Sequence, residues 1–365
     1  MKIKLNRDPK QLELIKLAGS KNREVSSQAM EILAGFIGPI LQQVIYKAGT
    51  SDVIYSKLTF DQDTLPTIPL DFYIDKKVDF VRTWSSSIPG GLPTNFISGL
   101  TELKVSTYGI DSAVSFLKRY ARLGQLDHVA RALKWMAQEL LVKTEINAWT
   151  PVLAALANAS TNNLAHVIAS TTAGVLQLDD FSRLITRSKK INAAGIDGGT
   201  PNGYYKGVTD MFLSPEAMEQ IRGWVYQPLN TRVGASIATA NGTAAVGIAA
   251  PDSMREEIYR QAGSAEVFGI QLHEVYELSP EGPYGVIFDA YFSGSFVAGT
   301  NNLVVGVDLS REALIETVEV DGNGGEVRVY NDDQFTIRSE KIGFAAEKNL
   351  GNVVLDDRAL TGLTY

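Results

Sequence analysis

Hydrophobic residues recur along the 365-residue chain with two different periods, and the switches between them mark its elements. Residues 1–50 hold two helix-like pieces, Pro9 to Leu17 and Ser27 to Tyr46. Gly35 and the Gly38-Pro39 pair are expected to bend or end the second, which makes this stretch an arm. From residue 51 the period falls to two. Ile68, Leu70, Phe72 and Ile74 alternate with Thr67, Pro69, Asp71 and Tyr73 as in a half-buried strand, and Pro69, lacking an N–H, places it at an edge. Two more alternating runs, Val78 to Trp84 and Glu102 to Thr107, flank a Ser-, Pro- and Gly-rich stretch and predict a long hairpin over about 76–107.

Helical punctuation follows. Asp111 is expected to cap a helix ending at Gly124, and Asp127 a second one reaching Ala157, about 31 residues or roughly 46 Å. A compact chain of this length has a radius of gyration of only about 21 Å, so this helix would cross most of a single body. Thr150-Pro151 predicts a kink or restart within it. A further amphipathic helix is expected over Leu178 to Ile191. The strand Thr209 to Leu213 then runs into Ser214-Pro215-Glu216, an N-cap, a first-turn proline and a carboxylate suited to the helix dipole, which starts a helix to Trp224. Residues 228–328 change texture to Gly-rich short strands, with one capped helix from Ser253 to Gly263 and strands at Val267 to Leu278 and Ile315 to Val320. The tail returns to strand character at Phe335 to Arg338 and Asn352 to Leu355. The fold class is α+β.

Composition narrows the chemistry. Thirty-four Lys and Arg against 41 Asp and Glu give a net charge of −7, which argues against a basic nucleic-acid binder. There is no cysteine, so disulfides, thiol catalysis and thiolate metal sites are excluded, and the only imidazoles are His128, His166 and His273. Met1 to Asp8 is too polar for a signal peptide, and Ala29 to Leu41 is too short and interrupted to span a membrane, so a soluble protein is expected. Phosphate-loop, nucleophile-elbow, HExxH and dinucleotide-fold motifs are missing. His273 and Glu277 would lie about 13 Å apart on a strand, too far to share a metal. Asp321 to Glu326 reads as a hairpin turn better than as a calcium loop. Asp179-Asp180, Asp332-Asp333 and Asp356-Asp357 read as solvated caps, Lys118, Arg119 and Arg122 as last-turn cations, and Trp135 with Trp149 as core on one helix face. No catalytic, cofactor-binding or metal residue is assigned, and the chain is read as not an enzyme.

A two-stranded ribbon is marginal alone, and a bent helical arm cannot cover its own apolar face. Trp84, Ile88, Leu92, Phe96 and Ile97 at the hairpin end, Ile68, Leu70 and Phe72 leading into it, and Phe36 and Ile40 on the arm are therefore expected to contact neighbouring copies. The order of arm, extended hairpin, long helix, the strand–Ser-Pro-Glu–helix unit at Thr209 to Trp224, Gly-rich insert and strand-forming tail resembles the tailed-bacteriophage major capsid proteins of the Hong Kong 97 type. That resemblance implies an arm at 1–52, an extended segment and loop at 53–107, a peripheral domain at 108–227 plus 329–365 with a spine helix at 127–157, and an axial domain at 228–328. It implies self-assembly into pentamers and hexamers of an icosahedral shell around double-stranded DNA, built in the host bacterial cytoplasm. Scaffolding, portal and cement proteins are possible partners, and a membrane is not. Some members cross-link through a lysine on the extended loop. Residues 85–99 contain none, so a non-covalent shell is expected, and no cleaved scaffolding segment is implied. At −7, contact with packaged DNA should be weak and sequence-independent. Two alternatives stay open, an encapsulin-like bacterial compartment shell and a cytoplasmic homo-oligomeric enzyme with a site in 228–328.

Overall fold

The computed structural model describes residues 9–62, 64–69, 102–124, 126–161, 163–192, 207–226, 266–321, 325–332 and 340–365; for 9–11, 36, 38–48, 126–129, 192, 224–226 and 332 it describes the backbone alone. In chain order the elements are α1 (Pro9–Ala18), α2 (Arg23–Ala48), α3 (Ser51–Ile54), β1 (Ser56–Asp61), β2 (Thr67–Pro69), β3 (Glu102–Lys104), β4 (Tyr108–Leu117), α4 (Lys118–Arg122) and α5 (Leu126–Asn158). Then come β5 (Ser160–Thr161), β6 (Leu164–Ala165), β7 (Val167–Ala169), α6 (Leu178–Asn192), β8 (Asp210–Leu213), α7 (Pro215–Tyr226), β9 (Glu266–Val267), β10 (Ile270–Glu274) and α8 (Pro283–Tyr291). The chain ends with β11 (Leu303–Val307), β12 (Leu314–Val320), β13 (Arg328–Asp332), β14 (Lys341–Val354) and β15 (Leu360–Thr364). The architecture is α+β, in two compact units. Unit 1 comprises 1–68, 103–148 and 315–353, and unit 2 comprises 69–102, 149–314 and 354–365.

Unit 1 is organised by β14. It pairs antiparallel with all of β4, from Lys341 opposite Leu117 to Leu350 opposite Tyr108, and also with β13 and β12, while β1 adds parallel to β12. The helix expected from Asp111 is instead strand β4. Ile110, Ser112, Val114 and Phe116 alternate toward the core, and β14 supplies ten ladder partners, so tertiary pairing overrides the cap signal at Asp111. Gly124 does take the left-handed conformation expected after a helix, with φ +65°, but closes only the single turn of α4. β12 and β13 each pair with β14 rather than with one another, so the turn at Asp321 to Glu326 is not a hairpin between paired strands, although the Asp321 N–H donates to the Gly325 carbonyl at 2.9 Å.

The core of this unit joins Ile15, Ala29, Met30 and Ile37 of the N-terminal helices to Leu133, Met136 and Leu140 of α5 and to Ile342 and Phe344 of β14. This corrects one expectation. α2 runs unbroken through Gly35 and Gly38-Pro39, and its residues Ala29, Met30, Ala34 and Ile37 are covered by their own chain while Ile32 stays exposed. Packing of Ala29, Met30, Ala34 and Ile37 on the sheet outweighs the hydrogen bond that Pro39 forgoes.

Unit 2 is built on a six-stranded sheet in the order β7-β15-β11-β8-β10-β9. β8 and β11 are buried along their whole length, which is why Asp210–Leu213 and Leu303–Val307 read as continuous apolar runs rather than alternating ones. Ser214 caps α7 as its sequence predicts, its Oγ accepting from the Ala217 N–H at 3.2 Å. The compact units depart from the boundaries expected at 228 and 328. β9 to β11 share a sheet with β8 and β15, and β12 lies in the other sheet, because strands buried on both faces need partners from either side. The expected strand Val267 to Leu278 is three pieces, since Phe268-Gly269 forms a two-residue turn and Tyr276–Leu278 is a 3-10 turn. The Ser253 to Gly263 helix, the Phe335 to Arg338 strand and Val78 to Trp84 lie outside the described residues.

α5 neither stops nor restarts at Pro151. Ala148, Trp149, Val152, Leu153 and Leu156, all fully buried, hold the helix through the missing N–H. Trp149 stacks on Tyr284 at 5.2 Å and meets Phe212 edge-on at 5.3 Å. Trp135, expected to share its role, is instead 60% exposed; the inward stripe of that part of α5 is Leu133, Met136, Ala137 and Leu140, about 100° per residue away. Replacing Trp149 with Ala should therefore lower unfolding free energy by about 3–5 kcal/mol. Trp135→Ala should change the isolated subunit by less than about 0.5 kcal/mol. Urea titration of the two variants checks the contrast.

Candidate functional site

The segment singled out by sequence rises from a short ribbon. β2 and β3 pair, the Val105 N–H donates to the Pro66 carbonyl at 3.0 Å, and Ile68 turns inward, 4% exposed, while Thr67, Pro69, Glu102 and Lys104 face water. The partner of β3 among the described residues is thus β2, and Pro69 does sit in a two-stranded ribbon without needing an inner ladder. Ile68, expected at an intersubunit contact, is covered by its own chain, because alternation points it into the body rather than outward. Leu70, Phe72, Trp84, Ile88, Leu92, Phe96 and Ile97 lie outside the described residues. Phe36 and Ile40 are placed on α2 by their backbone, with their side chains outside the description.

What the sequence did not single out is the apolar surface of the two units. In unit 1, Leu123, Trp135 and Val142 are more than half exposed, the last two seven residues apart on α5 and so on one face. In unit 2 the corresponding residues are Phe268, Tyr276, Val286 and Val297. Phe268 is the most unusual. It occupies φ +56° beside Gly269 at +79°, the pair of positive values a tight hairpin turn requires, where Asn-Gly is the ordinary solution. A bulky residue there carries a backbone cost of order 1 kcal/mol or more. α8 is apolar nearly all round, with Val286 outward and Tyr284 and Phe288 inward, a composition expected of a helix covered on every side. The available signal for Phe268 was its place in Val-Phe-Gly-Ile between two strand-like runs.

The charged candidates resolve into structural roles. Asp180 does cap α6 but is fully buried rather than solvated, accepting from the Thr171 N–H at 3.0 Å and hydroxyl at 2.8 Å and pairing with Arg183. Asp356 caps the turn before β15 and is likewise screened from water, held by Arg311 and Arg358. Arg122 donates to the Gly19 carbonyl at 2.7 Å, and Lys118 is buried, so neither is a free last-turn cation. His273 bonds Asp210 at 2.8 Å across the parallel β8–β10 pair and stacks on Phe212, away from Glu277. The described residues hold no cluster of three or more potential metal ligands. A crevice between the helices and the sheet of unit 1 is lined only by apolar residues such as Leu33, Ile37 and Phe116, with nothing to orient a polar substrate. No helix among the described residues is long and apolar enough to cross a membrane.

Neither a protein-family model nor a curated protein sequence matches the chain. Solved structures that resemble it include capsids of phages and of a GTA particle, and an encapsulin. The capsid of a native GTA particle is 12% identical at a TM-score of 0.48, covering 87% of this chain and 89% of that one. The capsid of the cyanophage P-SCSP1u is 13% identical at 0.48, covering 85% of each chain. The holo-SrpI encapsulin complex from Synechococcus elongatus is 11% identical at 0.43, covering 86% and 85%.

One buried imidazole makes a pH test of unit 2. His166 is fully buried, with Nδ1 against the Asp357 carbonyl at 3.1 Å and Nε2 against the Thr161 hydroxyl at 2.9 Å. Those partners suit a neutral ring donating from Nδ1 and accepting at Nε2, and burial lowers its pKa despite the Asp357 carboxylate. The unfolded chain then binds the proton first, so stability is complete above the ordinary histidine value of about 6.5 and is lost as pH falls below it. Denaturation of both proteins between pH 5 and 8 should show the wild type losing stability relative to His166→Gln as pH falls.

Proposed function

We propose that this chain is the structural subunit of a closed, non-enzymatic shell of the Hong Kong 97 capsid type. Many identical copies assemble into pentamers and hexamers around phage double-stranded DNA. The observation that carries the reading is the large apolar side chains that each folded unit leaves in water, Trp135 and Val142 on α5 and Phe268, Tyr276, Val286 and Val297 in unit 2. Burial of such side chains against a neighbour returns about 1.5–3 kcal/mol each. The order of elements adds support. Two arm helices, a ribbon carrying residues 70–101, a long helix entering a second unit, the strand–Ser-Pro-Glu–helix unit and a tail strand closing the second sheet follow the layout of that family. In this reading unit 1, with the arm and ribbon, is the peripheral body, and unit 2 supplies the axial part of each ring.

The shell is joined without covalent cross-links and touches its genome weakly, as the net charge of −7 and the lysine-free 85–99 stretch favour. Assembly takes place in the host cytoplasm, with portal and cement proteins as candidate partners and either a separate scaffold or none. The reaching contacts come from Trp84, Ile88, Leu92, Phe96 and Ile97. Negative-stain microscopy of the protein expressed alone and with its neighbouring genes should show closed particles of uniform size. The double variant Trp84→Ser, Phe96→Ser should remain folded but yield only small oligomers. Small soluble species alone under every assembly condition would defeat the proposal, and particles filled with an enzyme instead of DNA would move it to a bacterial compartment.

A further inference from the structure

The segment 50–61 links the arm to the ribbon, and its attachment to unit 1 passes through an unusual group of charges. Glu145 on α5 accepts from the Thr50 hydroxyl at 2.5 Å and from the Ser51 hydroxyl and N–H at 2.7 and 3.1 Å, while the Tyr55 hydroxyl donates to the Ala148 carbonyl. β1 then lies along β12 with Lys57 opposite Glu316. Lys57 reaches Asp52 at 2.8 Å and Glu326 at 3.6 Å. Glu316, 1% exposed, has Lys348 at 3.9 Å, and among the described residues neither of its carboxylate oxygens makes a hydrogen bond. From β4 the Tyr108 hydroxyl faces the same space, donating to Asn352 at 2.7 Å, and the Asn352 amide nitrogen is also unbonded. The groups around Glu316 are thus Lys57 from β1, Asp52 from α3, Tyr55, Glu145 from α5, Tyr108 from β4 and Lys348 from β14, with Glu326 beyond the lysines. Glu316 is thus a buried acid whose oxygens find no hydrogen-bond donor among the described residues and whose ion partner Lys348 is 3.9 Å away, a charge its surroundings offset poorly.

We infer that Glu316 is a proton-binding latch, taking up one proton on mild acidification while the chain stays folded and thereby tightening the hold of segment 50–61 on unit 1. The step moves one proton from solvent to one carboxylate oxygen, giving a neutral carboxyl group that can donate to a neighbour; no other bond changes. Burial raises the Glu316 carboxyl above its ordinary range, more than Lys348 and Lys57 lower it, and Asp52 and Glu145 push in the same direction as burial. Because the folded chain holds this proton at pH values where the unfolded chain has released it, protection grows as pH falls. The latch does not depend on the shell reading, since its readout is local and belongs to the unassembled chain.

Hydrogen exchange of the full-length subunit, corrected for the intrinsic pH dependence of amide exchange, tests it from pH 7.5 down to the ordinary glutamate value of about 4.3. Amides of 56–61 should gain protection as pH falls, by at most about tenfold per unit for a single proton. Glu316→Gln, which mimics the protonated acid, should match or exceed the wild type at pH 7.5 and lose the slope. A retained slope in that variant, or weaker protection than the wild type at pH 7.5, overturns the proposal. So does a slope removed by Glu326→Gln alone. Should Glu316→Gln fail to fold, infrared difference spectra of the wild type must still show a protonated carboxyl band growing in over this range; its absence overturns the latch without any variant.

Discussion

The burial of α5 is the constraint around which both units are built, and the helix meets it in two different ways. Between Leu133 and Leu140 it offers one apolar stripe and leaves Trp135 and Val142 in water; from Ala148 to Ala157 nearly every side is covered. A helix interior that holds a proline loses a hydrogen bond and takes a steric penalty of about 3 kcal/mol. Trp149, Val152, Leu153 and Leu156 together bury enough apolar surface to exceed that cost. The 33-residue helix therefore survives Pro151 because its second half is packed, and it would not survive there as a one-sided surface helix.

Much of this was legible from periodicity where a segment is long or strongly punctuated. α6 and α7 fall where amphipathicity and Ser214-Pro215-Glu216 put them, and β12 follows its alternation. The failures share a physical cause, local signals defeated by pairing or packing distant in sequence. Asp111 looked like a cap, yet β4 is zipped to residues more than two hundred positions later. Pro39 and Pro151 looked like breaks, yet both sit in helices with a heavily buried flank. The boundaries at 228 and 328 followed a change of texture, while the sheets are closed by β15 and β14, which no local window can see. The contact residues expected on the ribbon were chosen by apolarity alone, and that rule could not separate an inward position such as Ile68 from an outward one.

Polar side chains behaved less predictably than apolar ones. Asp180 and Asp356 are both caps at the ends of elements, as their positions suggest, but each is screened from water by an arginine and by backbone or hydroxyl donors. A carboxylate with that many donors needs no solvent, so a cap can be part of a core. Glu316 is the opposite case, an acid on a strand whose two faces are both covered and whose oxygens find no donor among the described residues. Alternation alone says that one face of β12 is apolar and leaves open that both are dry.

Two buried groups consequently answer acidification in opposite senses. His166 in unit 2 is a base whose neutral form is the one its partners accept, so its protonation works against the fold. Glu316 in unit 1 is an acid whose charged form is the one its surroundings resist, so its protonation favours the fold, and burial raises the Asp308 carboxyl of unit 2 in the same direction. Both effects come from the same desolvation, applied to groups of opposite charge type. Within one chain, a fall in pH therefore works against the fold at His166 and for it at Glu316, without any change of sequence or partner.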